Sequence, residues 1–383
     1  MSSAVRIFLR TSGESRSSGG NRSVTYSPRP VPNRSSTDAV TAGALQERMN
    51  TWLLFHRELR RGVPEVAEVL RFKEAAAASG VRLDVLRPQA FELIVDANEG
   101  WSAVYEGRRL PKPDLIIPRT GSETNYFTLA VLRHFERQGV AMVNGPSAVE
   151  AVADKLQTLQ ILSAAGLPIP KTLLAKFPVD VDLVERELGF PVVVKTLRGT
   201  RGEGVLLCSS REQFHDLANL LDGARTGADF IFQKYVKASH GRDVRLLVVH
   251  GRVVAAMLRK STDGGFKSNI SLGGVGVALD PPAALVDLAV RAANVLQLDV
   301  AGIDILFDDE GYRICEANSA PGFQGLERAC AISVPDEILS AARERLGLPR
   351  AQPSSWRRLL QGLRGMLGTV PLRDALIQPR ATH

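Results

Sequence analysis

The chain has 383 residues, of which 44% are hydrophobic, and a formal net charge of +7. This length can supply two or three domains and a sizeable core, and no uninterrupted apolar run approaches the ~18 residues that a membrane span needs. Three cysteines, Cys208, Cys315 and Cys330, with no CxxC pair, argue against a disulfide framework or a zinc site and suit a reducing compartment, the cytoplasm.

The charge is unevenly spread. Residues 1–48 hold seven Arg and three acids, giving +4, and residues 349–383 hold six Arg and one acid, giving +5, so the remainder carries 7 − 9 = −2. The excess sits at the ends, and nucleic-acid binding by the core is not indicated. Residues 1–47, rich in Ser, Arg, Gly and Pro, read as a disordered basic tail. Their Arg- and Ser-rich, acid-poor composition also resembles a transit peptide, but a Pro-rich stretch makes a poor amphipathic helix.

Order begins near Thr51, where TWLLF reads as a strand. Pro64 to Ser79 is a helix closed by Gly80. VRLDVL and LIIPR are further strands, Tyr126 to Gln138 is a helix, and AMVN is a strand. The alternation predicts a small α/β domain with a largely parallel sheet, without a GxGxxG or Walker loop. Arg119 ends a strand where ligands often bind; it either holds a substrate carboxylate or lies on the surface.

Ser147 to Ala165 reads as one helix. PVVVK (Pro191–Lys195) is a buried strand ending in Lys195, and it runs into Leu197-Arg-Gly-Thr-Arg-Gly-Glu-Gly204. Glycines let backbone N–H groups approach an anion, and lysine and arginine supply charge, so this hairpin suits phosphate binding. Asp229 to Tyr235 is a strand. Val244 to Met257 forms a hairpin around His250-Gly251, with Asp243 and Arg245 on one face at its start. Arg245 either binds an acidic substrate or pairs with Asp243, and the face taken by Arg259 is not derivable. Gly265 to Gly276 is a polar loop over a site, Asp280 to Leu296 a helix, and Asp336 to Leu346 another. Within the basic tail 349–383, Trp356, Leu359, Leu360, Leu363, Met366 and Leu367 have helical spacing beside Arg357, Arg358 and Arg364, which suits packing on the protein or another subunit better than a membrane surface.

The most informative stretch is VAGIDILFDDEGYRICEANSAPGF (Val300–Phe323). Two β-prone runs flank Asp308-Asp309-Glu310-Gly311, a hairpin signal. With the turn centred near residue 310, Asp304 and Glu316 are opposed on one face, and Asn318 points the same way. Opposed carboxylates repel unless a cation intervenes. A hard divalent ion removes the conflict, and Mg²⁺ commonly uses one or two carboxylates plus substrate phosphates.

These parts resemble the ATP-grasp superfamily, specifically RimK-like carboxylate–amine ligases. ADKL (Ala153–Leu156), VVVK (Val192–Lys195), RGTRGEGV (Arg198–Val205), QKYV (Gln233–Val236), GRDVR (Gly241–Arg245), KSN (Lys267–Asn269), AGIDIL (Ala301–Leu306) and CEANSAPGF (Cys315–Phe323) follow that family's signatures in order, over roughly residues 85–335. KYVKASHGRDVR and STDGGFKSNISLGGVGV look like the N-acetylaspartyl-glutamate synthetase branch; SAPGFQGLE and IIPRTGSE look more like the bacterial RimK branch.

The resemblance implies an ATP-grasp fold of class α/β (α+β). A Rossmann-like pre-ATP-grasp domain (48–145) would precede two α+β subdomains, one with the glycine loop (146–236) and one with the metal site (237–348). It implies a ligase in which ATP phosphorylates a carboxylate and an amino group attacks the acylphosphate. The partners would be ATP, L-glutamate and a carboxylate acceptor, in a homo-oligomer. Lys155 and Lys195 would contact phosphates beside Gly199, Gly202 and Gly204. Lys234 and Tyr235 would form the adenine hinge, Asp243 would hold the ribose, and Lys267, Ser268 and Asn269 would lie near the γ-phosphate. Asp304, Glu316 and Asn318 would bind one or two Mg²⁺ or Mn²⁺ ions, and Arg259 would stabilise charge in the transition state. Lys234 stands where the bacterial pattern has Glu, and a lysine cannot accept a hydrogen bond. Two other readings use the same parts: a nucleotide-binding pseudoenzyme acting as a sensor, and D-alanine-ligase-like or carboxylase chemistry.

Overall fold

Strand and helix alternate from Asn50 in the computed structural model, which describes residues 49–60, 63–197, 199, 204–224, 228–349, 359 and 370–371. β1 (Asn50–Leu54), α1 (Pro64–Ala78) and β2 (Arg82–Leu86) come first. A meander of β3 (Phe91–Asp96), β4 (Gly100–Tyr105) and β5 (Arg108–Arg109) follows, then β6 (Leu115–Pro118), α2 (Tyr126–Arg137) and β7 (Ala141–Met142). The order β2-β1-β6-β7 is parallel throughout, as the alternation predicts. The antiparallel meander is an addition that the reading passed over. Successive residues of β1 face opposite ways: Leu53 joins a core with α1, while Trp52 and Leu54 join one with α2.

The expected single helix over 147–165 is two: α3 (Pro146–Ala153) and α4 (Lys155–Ala164). Asp154 is extended between them, and its carboxylate accepts the Gln157 N–H. Asp-x-x-Gln is a capping-box pattern, so the break was legible locally. It puts Lys155 at the first position of α4.

A second sheet, antiparallel and ordered β10-β9-β11-β8, is formed by β8 (Thr172–Leu174), β9 (Val192–Thr196), β10 (Val205–Cys208) and β11 (Phe230–Lys234). It packs on α5 (Val181–Leu188) and α6 (Arg211–Ala224) around Val184, Leu188, Phe214 and Phe232.

The third sheet carries β12 (Arg242–Val249), β13 (Arg252–Lys260), β14 (Val275–Asp280), β15 (Val300–Asp308) and β16 (Gly311–Asn318), in the order β16-β15-β12-β13-β14. The two-residue β17 (Val370–Pro371) lies parallel to the end of β14, within the stretch expected to be a tail. α7 (Ala283–Val295) covers one face through Leu285, Leu288 and Ala292, against Leu246 and Ile303. α8 (Gln324–Cys330) and α9 (Val334–Arg345) follow, and on the other face Leu247 and Met257 share one core with α1, α9, Leu53 and Ile117. Adjacent β12 residues are therefore both buried, and the strand reads as a continuous apolar run. Among the described residues no helix is long and apolar enough to cross a membrane. The basic tail over 1–47, Gly202 and nearly all of the 356–367 helix lie outside the described residues.

Leu247 is fully buried where the two sheets meet. Leu247→Ala is expected to cost about 2–5 kcal/mol, through lost burial and the cavity left behind. Urea unfolding of both proteins measures it.

Candidate active site

The β15–β16 hairpin sets Asp304 directly across from Glu316, but not for the reason symmetry suggested. Asp308 pairs with Gly311, so the turn is two residues long and centred before residue 310. On that register alone Asp304 would face Cys315. A register shift between Asp304 and Ile305 adds one residue to β16 and restores the pairing with Glu316. Asn318, two residues on, pairs with Gly302.

Asp304 is nearly inaccessible, at 3% exposure. Its cross-strand neighbour on β12, Arg245, holds it bidentately at 2.7 and 2.6 Å, and Arg259 Nη2 donates to it at 2.8 Å. Arg259 also holds both oxygens of Asp243, its neighbour across β12 and β13. The four side chains alternate in charge: Arg245, Asp304, Arg259, Asp243. Burial opposes ionisation of Asp304, but the two arginines outweigh it and lower its pKa to about 2. Burial likewise opposes the charge on Arg259, and Asp243 and Asp304 overcome it and raise its pKa.

This corrects three expectations. The counter-charge for Asp304 comes from arginines, so its burial does not by itself demand a metal. Arg245 pairs with Asp304 rather than with Asp243. Arg119 is not on the surface: Glu68 holds it at 2.7 Å, it donates to Pro321 O at 3.0 Å, and its guanidinium lies 5.8 Å from the Phe72 ring centroid and 5.4 Å from that of Phe323.

An open cleft runs from the glycine hairpin to this charge chain. Lys155, Lys195, Gly199, Lys234, Tyr235, Asp243, Lys267, Ser268, Asn269, Arg259, Asp304 and Glu316 all line it, and Lys195 Nζ lies 3.5 Å from Cys315 Sγ, next to Glu316. Lys155 Nζ donates to Gly199 O at 3.0 Å; burial pushes its pKa down, against the pull of Glu316. Lys195 donates to Gln233 Oε1 at 2.7 Å. The Lys234 N–H is committed to Lys171 O, so a nucleobase contact there falls to the carbonyl. The Tyr235 hydroxyl bonds His240, whose other ring nitrogen lies 3.0 Å from Gly264 O.

Gly204 and Asn318 are outside the cleft lining. Gly204 has φ +66°, and a Cβ there would lie 2.6 Å from Thr196 Oγ1, so its need for glycine is set by chain path and packing. Gln233, Arg242 and Phe266, together with the apolar walls Val193, Val236 and Leu306, were not singled out from the sequence. The Gln in QKYV, on a strand next to the Lys195 strand, was the available signal for the first.

Among the described residues, no three His, Cys, Asp or Glu side chains are grouped to hold an ion. The donor set is instead two carboxylates and an amide. Among the described residues no hydrogen bond or ion pair engages the Glu316 carboxylate, and Asn318 Nδ2 is buried without a partner. An amide turned by half a revolution presents oxygen at that point, and an orphaned buried polar atom there fits a missing ion or water. Asp304 Oδ1 accepts one hydrogen bond and keeps a lone pair. Two or three oxygens on one face fit a hard divalent cation completed by phosphates.

Because the folded-state pKa of Asp304 is depressed from 3.8 to about 2, its charge stabilises the fold above pH ~4, and that contribution disappears as pH falls toward ~2. Asp304→Asn is expected to be destabilising at neutral pH, by an amount that shrinks over this window. Urea unfolding of both proteins at stepped pH checks the sign; a difference that grows on acidification contradicts it.

Residues 62–149 match the RimK PreATP-grasp domain and residues 152–342 the RimK-like ATP-grasp domain. N-acetylaspartylglutamate synthase A of Homo sapiens is 36% identical over 291 residues, which is 74% of this chain and 73% of that protein. Ribosomal protein bS6–L-glutamate ligase of Escherichia fergusonii is 35% identical over 271 residues, 70% of this chain and 89% of that one. Among solved structures, the ATP-grasp ligase PsnB with its minimal precursor superposes with a TM-score of 0.58 at 22% identity, covering 77% of this chain and 99% of PsnB. The RimK domain protein of Sphaerobacter thermophilus gives 0.57 at 19%, covering 76% and 97%. The latter two show the shared fold, and with the domain matches and the glutamate-ligase relatives they establish that this chain belongs to the RimK-like ATP-grasp ligase family.

Proposed function

We propose that the protein is an ATP-dependent carboxylate–amine ligase that joins L-glutamate to an acidic acceptor, either a protein carboxyl terminus or a small N-acyl amino acid. One observation carries this reading. A single cleft holds two lysines beside a glycine turn, Glu316, which has no ion-pair partner among the described residues, and a buried arginine–aspartate chain. Cations for a triphosphate, oxygens for a divalent ion and a fixed guanidinium are what phosphoryl transfer to a carboxylate requires. The reaction needs mainly positioning and charge neutralisation.

In this reading Lys155 and Lys195 bind phosphate oxygens, and Lys155 exchanges its bond to the Gly199 carbonyl for one to the nucleotide. Tyr235 and the Lys234 carbonyl border the base, Asp243 takes the ribose hydroxyls with lone pairs left by Arg259, and Lys267 to Asn269 border the γ-phosphate. Asp304, Glu316 and Asn318 would hold one or two Mg²⁺ or Mn²⁺ ions, which supply positive charge against the β- and γ-phosphates. Arg259, kept protonated by its two aspartates, presents charge to the acylphosphate as it forms and as the glutamate amine attacks. Three free cysteines suit a cytoplasmic setting, and we infer a homo-oligomer from the family resemblance, testable by light scattering.

The deciding experiment measures ADP release over a panel of carboxylates, each with and without glutamate, with mass spectrometry of the product. Release that needs both substrates, with a product heavier by one glutamyl residue, is expected. Nucleotide binding without release for any acceptor would count against a ligase. Glu316→Ala is expected to abolish metal-dependent ADP release; turnover at the wild-type rate would remove Glu316 from the metal site. Arg259→Ala is expected to lower kcat by about 10²–10³, the usual loss for one charge-stabilising donor, measured by the same ADP assay under saturating substrates.

A further inference from the structure

The loop that leaves the metal hairpin, Ser319-Ala320-Pro321-Gly322-Phe323, is held at every second residue by side chains from the chain's first 144 residues. Asn144, in the turn between β7 and α3, is fully buried. Its Oδ1 accepts the Val300 N–H at 2.8 Å, and its Nδ2 donates to Val300 O and Ser319 O, each at 2.8 Å. One amide thus fastens the first residue of β15 to the residue after Asn318. Two residues on, Arg119 donates to Pro321 O, and two further, Glu68 Oε1 accepts the Phe323 N–H at 2.8 Å while its Oε2 holds Arg119. Pro321 folds back over Gly302, the strand partner of Asn318; a Cβ at Gly302 would lie 2.6 Å from Pro321 Cβ.

A buried asparagine with both ends of its amide engaged is a stringent constraint. Any slip of the loop strands a donor or an acceptor, at a desolvation cost of about 1–3 kcal/mol each. Within the loop, Ser319, Pro321 and Phe323 are tied down, and Asn318 is covalently next to the first tie. Its own side chain has an unpartnered nitrogen, so nothing on Nδ2 orients it. Its position is inherited from the backbone, which is held on one side by the β15–β16 ladder and on the other by the Asn144 tie to Ser319.

We propose that Asn144, assisted by the Arg119–Glu68 pair, is a positioning residue for the divalent-ion site: it acts through Ser319 to hold Asn318, and with it the Glu316–Asp304 face, in coordinating geometry. The parallel-sheet half of the protein thereby completes the ion site without contributing a ligand. This rests on the ligase reading above.

The test measures ion binding directly, with Mn²⁺ as probe. Free Mn²⁺ is followed by electron paramagnetic resonance, with a non-hydrolysable ATP analogue present, for the full chain and two variants. Asn144→Asp keeps the acceptor for Val300 but loses both donors; Arg119→Met with Glu68→Gln keeps the packing and the Phe323 acceptor but frees Pro321. Analogue affinity without metal and the thermal midpoint are measured alongside. Mn²⁺ affinity is expected to fall about 10–100-fold, as for lost orienting partners of metal ligands, most in Asn144→Asp, with metal-free analogue affinity unchanged. If Asn144→Asp does not fold, the double variant decides. A variant that folds, binds the analogue and holds Mn²⁺ as tightly as the full chain overturns the proposal. If the unmodified chain binds the analogue but no Mn²⁺, the ligase reading itself fails and takes the proposal with it.

Discussion

Four charged side chains lie in alternation in the middle of a six-stranded sheet, and the active cleft is arranged around them. Arg245 and Asp304 are neighbours across β12 and β15, Asp243 and Arg259 across β12 and β13, and Arg259 links the two pairs. Any one of these charges alone at this depth would be prohibitive. Removing a single partner from such an arrangement typically costs about 3–5 kcal/mol, because the remaining charge stays buried and unpaired. The chain is therefore retained or lost as a unit. It delivers to the cleft an aspartate that stays ionised and a guanidinium that stays protonated, both held in fixed orientation.

The same arrangement gives the two carboxylates of the hairpin different environments. Asp304 is buried and satisfied by arginines, whereas Glu316 lines the cleft and acts electrostatically on Lys155. A site that leaves one carboxylate uncommitted and fixes the other can take a cation without first breaking an ion pair. The glycine hairpin and Lys195 belong to a sheet with a core of its own, whereas Lys155 begins α4. The charge chain belongs to a sheet that shares its core with the parallel sheet. The cleft thus lies between walls that belong to separate hydrophobic cores.

How much of this was legible depended on the range of the interaction. Period-2 and period-3.6 patterning located most strands and helices, because burial on one face acts residue by residue. The hairpin could be read from turn chemistry, but the opposition of Asp304 and Glu316 depends on a register shift that could not. The meander over 91–109 was missed, although FELIVD and GWSAVY carry β-prone residues around a polar turn. The break at Asp154 was missed because the apolar pattern continues on both sides, and only the capping pattern Asp154-x-x-Gln157 marks it.

The sequence by itself determined most of the element order, the parallel character of the first sheet and many of the polar residues that share the cleft, since each follows from local patterning or from motifs in a recognisable order. Tertiary structure alone decided the partners: that Arg245 takes Asp304, that Arg259 bridges two aspartates, that Arg119 is locked to Glu68, and that Asn144 reaches 156 residues along the chain to Val300. The reason is physical. Propensity and periodicity act over a few residues, whereas a buried charge or amide takes whatever complementary group the packed sheets bring within 3 Å, and that choice is settled only when sheets distant in sequence come together.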